Sequence, residues 1–234
     1  IIVNILLAWL IYLIMFSTVG QKYVSTEVIQ KNGLSFGEVG KSVGFKDGDR
    51  ILSVDGKLQP KFNWMIIDVL LSDKIEIERD GKKMELDLTE EQKGEIISKE
   101  GKGFAYARRT NVSIDSITKN SLAEKAGLKI GDNIVAINNN KITFYDELGA
   151  EFSNHKNDSV LLKVARNNTI VEIKTKVGED GKLGFIQNSV SKDDYLVTNK
   201  LSIGQAVPAA AKEAWQLLVY NVKQFKLILS PKTE

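Results

Sequence analysis

Gly44-Phe45-Lys46-Asp47-Gly48-Asp49-Arg50-Ile51-Leu52-Ser53-Val54-Asp55-Gly56-Lys57 aligns without a gap on Gly127-Leu128-Lys129-Ile130-Gly131-Asp132-Asn133-Ile134-Val135-Ala136-Ile137-Asn138-Asn139-Asn140. In both copies the first glycine ends a short helix in the left-handed region, the Gly-Asp pair turns the chain, and alternating apolar residues enter a half-buried strand. Asp55-Gly56 and Asn138-Asn139 suit positive φ and close a tight hairpin. A turn-and-strand signature that recurs in this way marks a repeated supersecondary unit.

The segments C-terminal to the signature repeat as well. Phe62 to Leu71 and Phe144 to Phe152 carry apolar residues near helical spacing, so each can lay one face on a sheet. Alternating strands come next: Lys74 to Arg79, a turn at Asp80-Gly81, and Met84 to Leu88 in one copy; Val160 to Val164, a turn at Asn167-Asn168, and Ile170 to Ile173 in the other. Short strands plus a helix predict an α+β module, twice. Gly103-Phe104-Ala105-Tyr106 and a strand through Val112-Ser113-Ile114 read as the front of the second copy, with a short helix over Ser121 to Ala126. The front of the first copy is looser, since Gly37 and Gly40 weaken the helix expected between Phe36 and Val43.

The chain has 234 residues, 43% of them hydrophobic and 26% charged, an ordinary folding mixture. A net charge of +2 without a basic run offers nothing to a phosphate backbone, so nucleic acid is not an expected partner. Zero cysteines exclude disulfides, thiol nucleophiles and Cys-ligated zinc. Ile1 to Val19 is apolar throughout except for Asn4 and the hydroxyls, with no charge before Lys22. About 20 such residues cross a bilayer core, so a transmembrane helix is expected over 1–22. The missing initiator Met and basic n-region argue against a secretory signal and for a segment of a longer chain. Leu201 to Leu229 reads as an amphipathic helix with Pro208 in its first turn, and its Lys212, Glu213, Lys223 and Lys226 make a span implausible. It suits a membrane surface or a protein face equally.

Asn120 to Leu128, followed by Gly131-Asp132 and Ile137-Asn138, resembles a bacterial PDZ domain, with Leu122 where the family usually has Pro. The order of an apolar helix bearing Asn4, two such modules and an amphipathic stretch resembles the bacterial site-2 protease family, intramembrane zinc metalloproteases with a PDZ pair between the second and third membrane helices. Gly103 to Arg109 and Gly44 to Asp49 are similar to its Bacteroidetes-type branch. The resemblance implies a transmembrane helix (1–22), a first PDZ-like domain (23–98), a second (99–190) and a post-PDZ segment (191–234). It places the chain at a bacterial inner membrane with the modules in the periplasm, gating transmembrane substrates in regulated intramembrane proteolysis. Asn4 matches the second-helix motif.

That family holds zinc through HExxH and an LDG aspartate, and this chain has neither; His155, the one histidine, reads as a solvated loop residue. The chain alone is expected to be inactive and to bind no zinc, while its parent is a zinc endopeptidase. The alternative is a membrane-anchored PDZ adaptor, or the PDZ region of a serine protease in envelope quality control. What remains is a peptide groove, in which an extended chain adds to a sheet edge while loop amides hold its carboxylate. The resemblance assigns it to Gly103, Phe104, Ala105, Tyr106, Val112, Phe144, Leu148 and Phe152, although each apolar residue taken singly reads as core. Arg108 and Arg109 are placed to assist a carboxylate or to lie solvated. The partners implied are newly exposed substrate C-termini, or the pair excludes untrimmed substrates by size alone.

Overall fold

The structure is a computed structural model that describes residues 2–72, 74–98, 104–110, 113–187 and 192–228. In chain order the elements are α1 (Ile2–Thr18), β1 (Gln21–Val24), α2 (Thr26–Ile29), β2 (Leu34–Phe36), α3 (Glu38–Ser42), β3 (Arg50–Val54), α4 (Phe62–Leu71), β4 (Ile75–Arg79), β5 (Lys82–Leu86), α5 (Glu90–Ser98) and β6 (Ala105–Ala107). They continue as β7 (Ile114–Ile117), α6 (Leu122–Lys125), β8 (Asn133–Ile137), β9 (Asn140–Lys141), α7 (Tyr145–Asn154), β10 (Ser159–Arg166), β11 (Thr169–Lys176), β12 (Phe185–Gln187), a 3₁₀ turn (Lys192–Tyr195), β13 (Leu196–Asn199) and α8 (Ile203–Ile228). Helix and strand are mixed in two compact units, one comprising Ile1–Ala107 with Lys192–Glu234 and the other Arg108–Ser191.

In the first unit β3, β4 and β5 form an antiparallel sheet in register Ile51↔Ile77 and Ile75↔Leu86. Beside it β2 pairs with β6, Leu34↔Ala107 and Phe36↔Ala105. Phe104 enters this unit's core, edge-on to Phe36 and Phe45 at 5.8 and 5.3 Å. The expected boundary at 98/99 is therefore corrected to 107/108. A strand far along the chain completes the front of the first module, and its proximity in sequence to the second copy conceals this. Gly40 is needed where it stands, because a Cβ there would lie 2.4 Å from the Phe104 carbonyl oxygen. The short helix α3 thus forms despite its glycines.

The post-PDZ segment is no separate domain. β13 pairs with β1 from Gln21↔Asn199 to Val24↔Leu196, and α8 packs on α1. Ala206 and Ala210, one helical turn apart, meet Phe16, Trp9 and Tyr12, and the Trp9 indole N–H donates to the Val207 carbonyl at 3.2 Å. Further along α8, Tyr220 donates to Asp68 at 2.6 Å, accepts from Gln59 at 2.7 Å and meets Trp64 edge-on, while Lys223 pairs with Asp68 at 2.8 Å. Glu213 pairs with Lys61. Burial, reinforced by the Asp68 carboxylate, pushes the Tyr220 hydroxyl well above the usual phenol range, so it stays a donor. Pro208 stands inside α8 rather than in its first turn, which starts after Ser202, capped through Gln205.

α1 has 17 residues, about 25 Å at 1.5 Å per residue, and ends before Gly20, which takes φ +85. Among the described residues no helix is long and apolar enough to cross a membrane. The face of α1 turned away from α8 is nonetheless bare, with Val3, Leu6, Leu7, Leu10 and Ile14 exposed.

The second unit contains the sheet β11-β10-β8-β9, the pair β12-β7 and helices α6 and α7. Leu162 faces Ile173 on one side and Ile137 on the other, and all three enter the core with Leu148, Val160 and Phe152. One hydrogen-bond device recurs in both units. Arg166 Nε and Nη2 fork onto Asp132 at 2.7 and 2.7 Å, and Nη2 also donates to the Gly127 carbonyl at 2.8 Å. Arg79 repeats this on Asp49 at 2.7 and 2.6 Å and on Gly44 at 2.8 Å. Lys129 N and Lys46 N complete the two turns, each donating to its aspartate at 2.8 Å. Asn138 and Asp55, both at positive φ, likewise accept from Leu161 N and Lys74 N.

Candidate peptide-binding groove

Tyr145, Leu148, Gly149, Phe152 and Ser153 fall at i, i+3, i+4, i+7 and i+8 and so share one stripe of α7. Leu148 and Phe152 are buried and anchor the helix, whereas Tyr145, Gly149 and Ser153 are exposed. The start of the helix is held firmly. Glu147 accepts from Thr143 N and Phe144 N at 2.7 and 3.0 Å, and Asp146 and Glu147 favour the positive end of the helix dipole. Arg108 grips Asp146 at 2.9 Å and lies 3.9 Å above the Phe144 ring, while Arg109 lies over Tyr145. The two arginines are thus occupied at the helix start by aromatic rings and, for Arg108, by carboxylates.

Facing this stripe is the loop Asp180 to Gly184, which leads into β12. Gly181 and Gly184 take φ +73 and +86. The loop's carbonyls turn away from α7: Leu183 O accepts from Ala123 N at 2.8 Å and Gly184 O from Thr118 N at 2.9 Å. The amides of Leu183 and Gly184 donate to no acceptor among the described residues. Asp180 accepts from Lys182 N at 3.1 Å, which holds its carboxylate on its own loop. β12 pairs with β7 on one edge, and its other edge carries no strand among the described residues. Between loop and helix lies a cleft of about 280 Å³ floored by Leu148, Phe152, Leu183 and Phe185, with the Phe152 and Phe185 rings 6.3 Å apart. Pockets that hold drug-sized ligands run to roughly 300–1,000 Å³, so this one fits the end of a chain.

Only some of the residues expected to form the groove meet at this cleft. Leu148 and Phe152 line it, but Phe104, Ala105 and Tyr106 belong to the first unit, where Ala105–Ala107 pairs with β2. Phe144 lies under Arg108 at the helix cap, and Thr110 bridges to Phe144. Gly103 and Val112 lie outside the described residues. The strand edge beside this cleft comes from behind the last hairpin of the module, at β12. A signal for it stands in the sequence: Gly181-Lys182-Leu183-Gly184-Phe185 parallels Gly101-Lys102-Gly103-Phe104, so the repeat extends past the second hairpin of each copy.

The first unit has the same stripe on α4, in the register that aligns Gly44 with Gly127: Phe62, Met65, Ile66, Val69 and Leu70. There Phe62, Met65, Val69 and Leu70 are all buried, and α5 packs on α3 and α4 with Ile96 in the same core cluster. The second unit has a short loop in place of α5 and smaller residues, Gly149 and Ser153, in place of Ile66 and Leu70. Glycine inside a helix costs about 1 kcal/mol against alanine, and a Cβ at 149 would touch nothing within 4 Å, so packing does not require it.

Elsewhere, Asn4 lines a cavity of about 240 Å³ between α1 and α8 with Ala8, Ala214, Leu217 and Asn221. His155 stands 3.6 Å from Glu151 and 3.9 Å from Asp158, and among the described residues no group of three or more His, Asp or Glu could hold a metal ion.

A PDZ domain is found at residues 113–166, where that family's model matches. Among solved structures the chain is similar to an aminopeptidase N family protein from Idiomarina loihiensis, at 18% identity, over 38% of this chain and 16% of that one, with a TM-score of 0.26. The match thus spans well under two thirds of that protein.

Proposed function

We propose that the second unit binds the free C-terminus of an extended polypeptide in the cleft between α7 and β12. The observation that carries this reading is the juxtaposition of a free strand edge, two unpaired loop amides at Leu183 and Gly184, and an apolar floor. An incoming strand takes up the β12 edge, its carboxylate accepts from the amides, and its last side chain enters the cleft. The PDZ domain at 113–166 supports a peptide-binding or adaptor role.

In this reading the chain is the substrate-gating tandem PDZ region of a bacterial site-2-type intramembrane zinc metalloprotease, at the inner membrane with its modules in the periplasm. Its support is the sequence resemblance, Asn4 within an apolar α1, and the bare apolar face of that helix, which suits lipid or another helix. With its flanking residues, α1 serves as the membrane helix. In this reading the zinc is held by the rest of the parent. A membrane-anchored adaptor, or the PDZ region of a serine protease, would use the same groove.

Two measurements test this. Hexapeptides with a free C-terminal carboxylate are expected to bind the full chain about tenfold or more tightly than their amidated forms, since charge-assisted hydrogen bonds to backbone amides are the strong ones. Equal affinity would end the carboxylate reading. The coding sequence upstream of Ile1 is expected to encode HExxH within an apolar helix, and a Ser/His/Asp domain there would favour the serine protease alternative.

A further inference from the structure

We propose that the first unit holds a second, latent peptide groove whose resident occupant is α5, with Ile96 seated where an apolar side chain of an incoming strand would go. This rests on the same strand-addition reading as the groove of the second unit and extends it to the repeat. The two arginine forks set the comparison. Arg79 stands opposite Lys82, and Arg166 opposite Thr169, so Leu86 matches Ile173 and Thr89 to Glu100 stands where the second copy has only Lys176 to Asp180. The second unit, with a loop at that point, closes its core without a helix there. α5 is therefore an addition to the module, and it lies on the groove helix: it packs on α3 and α4, and Ser42 Oγ donates to Glu95 at 3.2 Å.

What α5 covers is the counterpart of the open cleft. Phe152, Ser153 and Phe185 line that cleft, and the residues matched to them, Val69, Leu70 and Phe104, are 0, 8 and 1% exposed. All three share one core cluster with the fully buried Ile96. The edge of β6 away from β2 carries no strand among the described residues, like the matching edge of β12. The first unit thus keeps a free strand edge beside a floor that is already taken. α5 makes its own start: Thr89 Oγ1 accepts from Gln92 N at 3.2 Å, and Gln92 Oε1 accepts from Thr89 N at 2.8 Å. Ile96 is its one buried apolar side chain among the described residues. A helix that caps itself and is anchored by one apolar residue can lift as a unit, in the manner of a local opening. The ligand that replaces it is an extended polypeptide with an apolar side chain in the place of Ile96, and its affinity is reduced by the fraction of chains in which α5 is down.

The test counts peptides per chain by calorimetry, using the full chain in mild detergent and a hexapeptide that has a free carboxylate and ends in leucine. The wild-type chain is expected to bind a single equivalent, which Gly184→Ala removes. Replacing Thr89 to Glu100 by the sequence of Lys176 to Asp180 is expected to add a second equivalent that survives Gly184→Ala. Ile96→Ala, which keeps the length of the segment, is expected to show the same extra site, about tenfold or more tighter than any such site in the wild type. In the wild type itself, the amides of α5 are expected to exchange about tenfold or more faster than those of β4. Equal protection of α5 and β4 overturns the inference, because α5 is then part of the core. Two equivalents in the wild type overturn it as well and leave the C-terminal reading standing. So does the absence of an extra site in both variants while Trp64 fluorescence reports a folded first unit. An extra site in the variants of a wild-type chain that binds nothing supports this inference and ends the C-terminal reading of the second unit, whereas no binding in any form ends both.

Discussion

Replacing Arg166 by methionine is expected to cost the second unit about 3–5 kcal/mol at neutral pH and to invert the pH dependence of its stability. The Asp132 side chain is 1% exposed and takes both arms of the Arg166 guanidinium. Burial pushes its carboxyl up, but the Arg166 fork and the Lys129 amide outweigh that and hold it below the usual carboxylate range. In the wild-type protein this carboxylate therefore contributes stability that is present above the unfolded value of about 3.9 and lost as pH falls through the lower folded value. Without Arg166 burial dominates and the folded value rises. The contribution is then complete below about pH 4 and is lost as pH climbs through the raised value.

All three tryptophans, Trp9, Trp64 and Trp215, lie in the first unit, so their fluorescence does not report this change. Amide exchange of β8 and β10 does, and it should speed up strongly at pH 7 in Arg166→Met. Adding Asp132→Leu should restore much of the protection, because replacing both members of a buried pair is far less costly than removing one. Unchanged protection at pH 7 in the single variant would refute the role given to the pair. The first unit offers a second trial: Arg79→Met leaves Asp49 in the same position, and there Trp64 on α4 does report unfolding.

That device also marks the limit of what the sequence allowed. The glycine and aspartate halves of it stand in the aligned stretches, and the turns they predicted are present. The arginine half escapes because β10 has eight residues to β4's five and follows a longer loop, so Arg166 and Arg79 fall out of register in a gapless comparison. Helices α4 and α7 are legible because their apolar residues recur on one face, which is a local property. The cleft is half legible for the same reason: Leu148 and Phe152 are spaced by the helix, but the strand opposite them is chosen by tertiary pairing. Residues 105–107 sit beside the second unit in sequence yet pair with β2 of the first, and no periodicity within three residues could reveal that. α1 reads as apolar from composition alone, whereas its end at Thr18, set by Gly20 turning into β1, is a matter of backbone geometry.

Gly184→Ala is expected to remove peptide binding while leaving the sheet of the second unit folded. The residue holds φ +86, where an L side chain costs about 1–2 kcal/mol, and its added Cβ would fall 2.5 Å from the Cβ of Ser121. Neither atom sits at the end of a flexible side chain, so the loop must shift, and the Leu183 and Gly184 amides shift with it. A displacement of that kind breaks the carboxylate contacts, for an expected loss of about thirtyfold or more in affinity. Ser121 makes the cause separable. It caps α6 by accepting from Glu124 N at 3.2 Å, and serine to glycine at a helix N-cap costs only a few tenths of a kcal/mol. Ser121→Gly alone should therefore bind nearly as the wild type does, and Ser121→Gly with Gly184→Ala should recover the part of the loss due to the clash. The remainder is the backbone strain at positive φ. Wild-type affinity in Gly184→Ala would place the carboxylate elsewhere than on this loop. If the two losses simply add, the contact with Ser121 is not what shapes it.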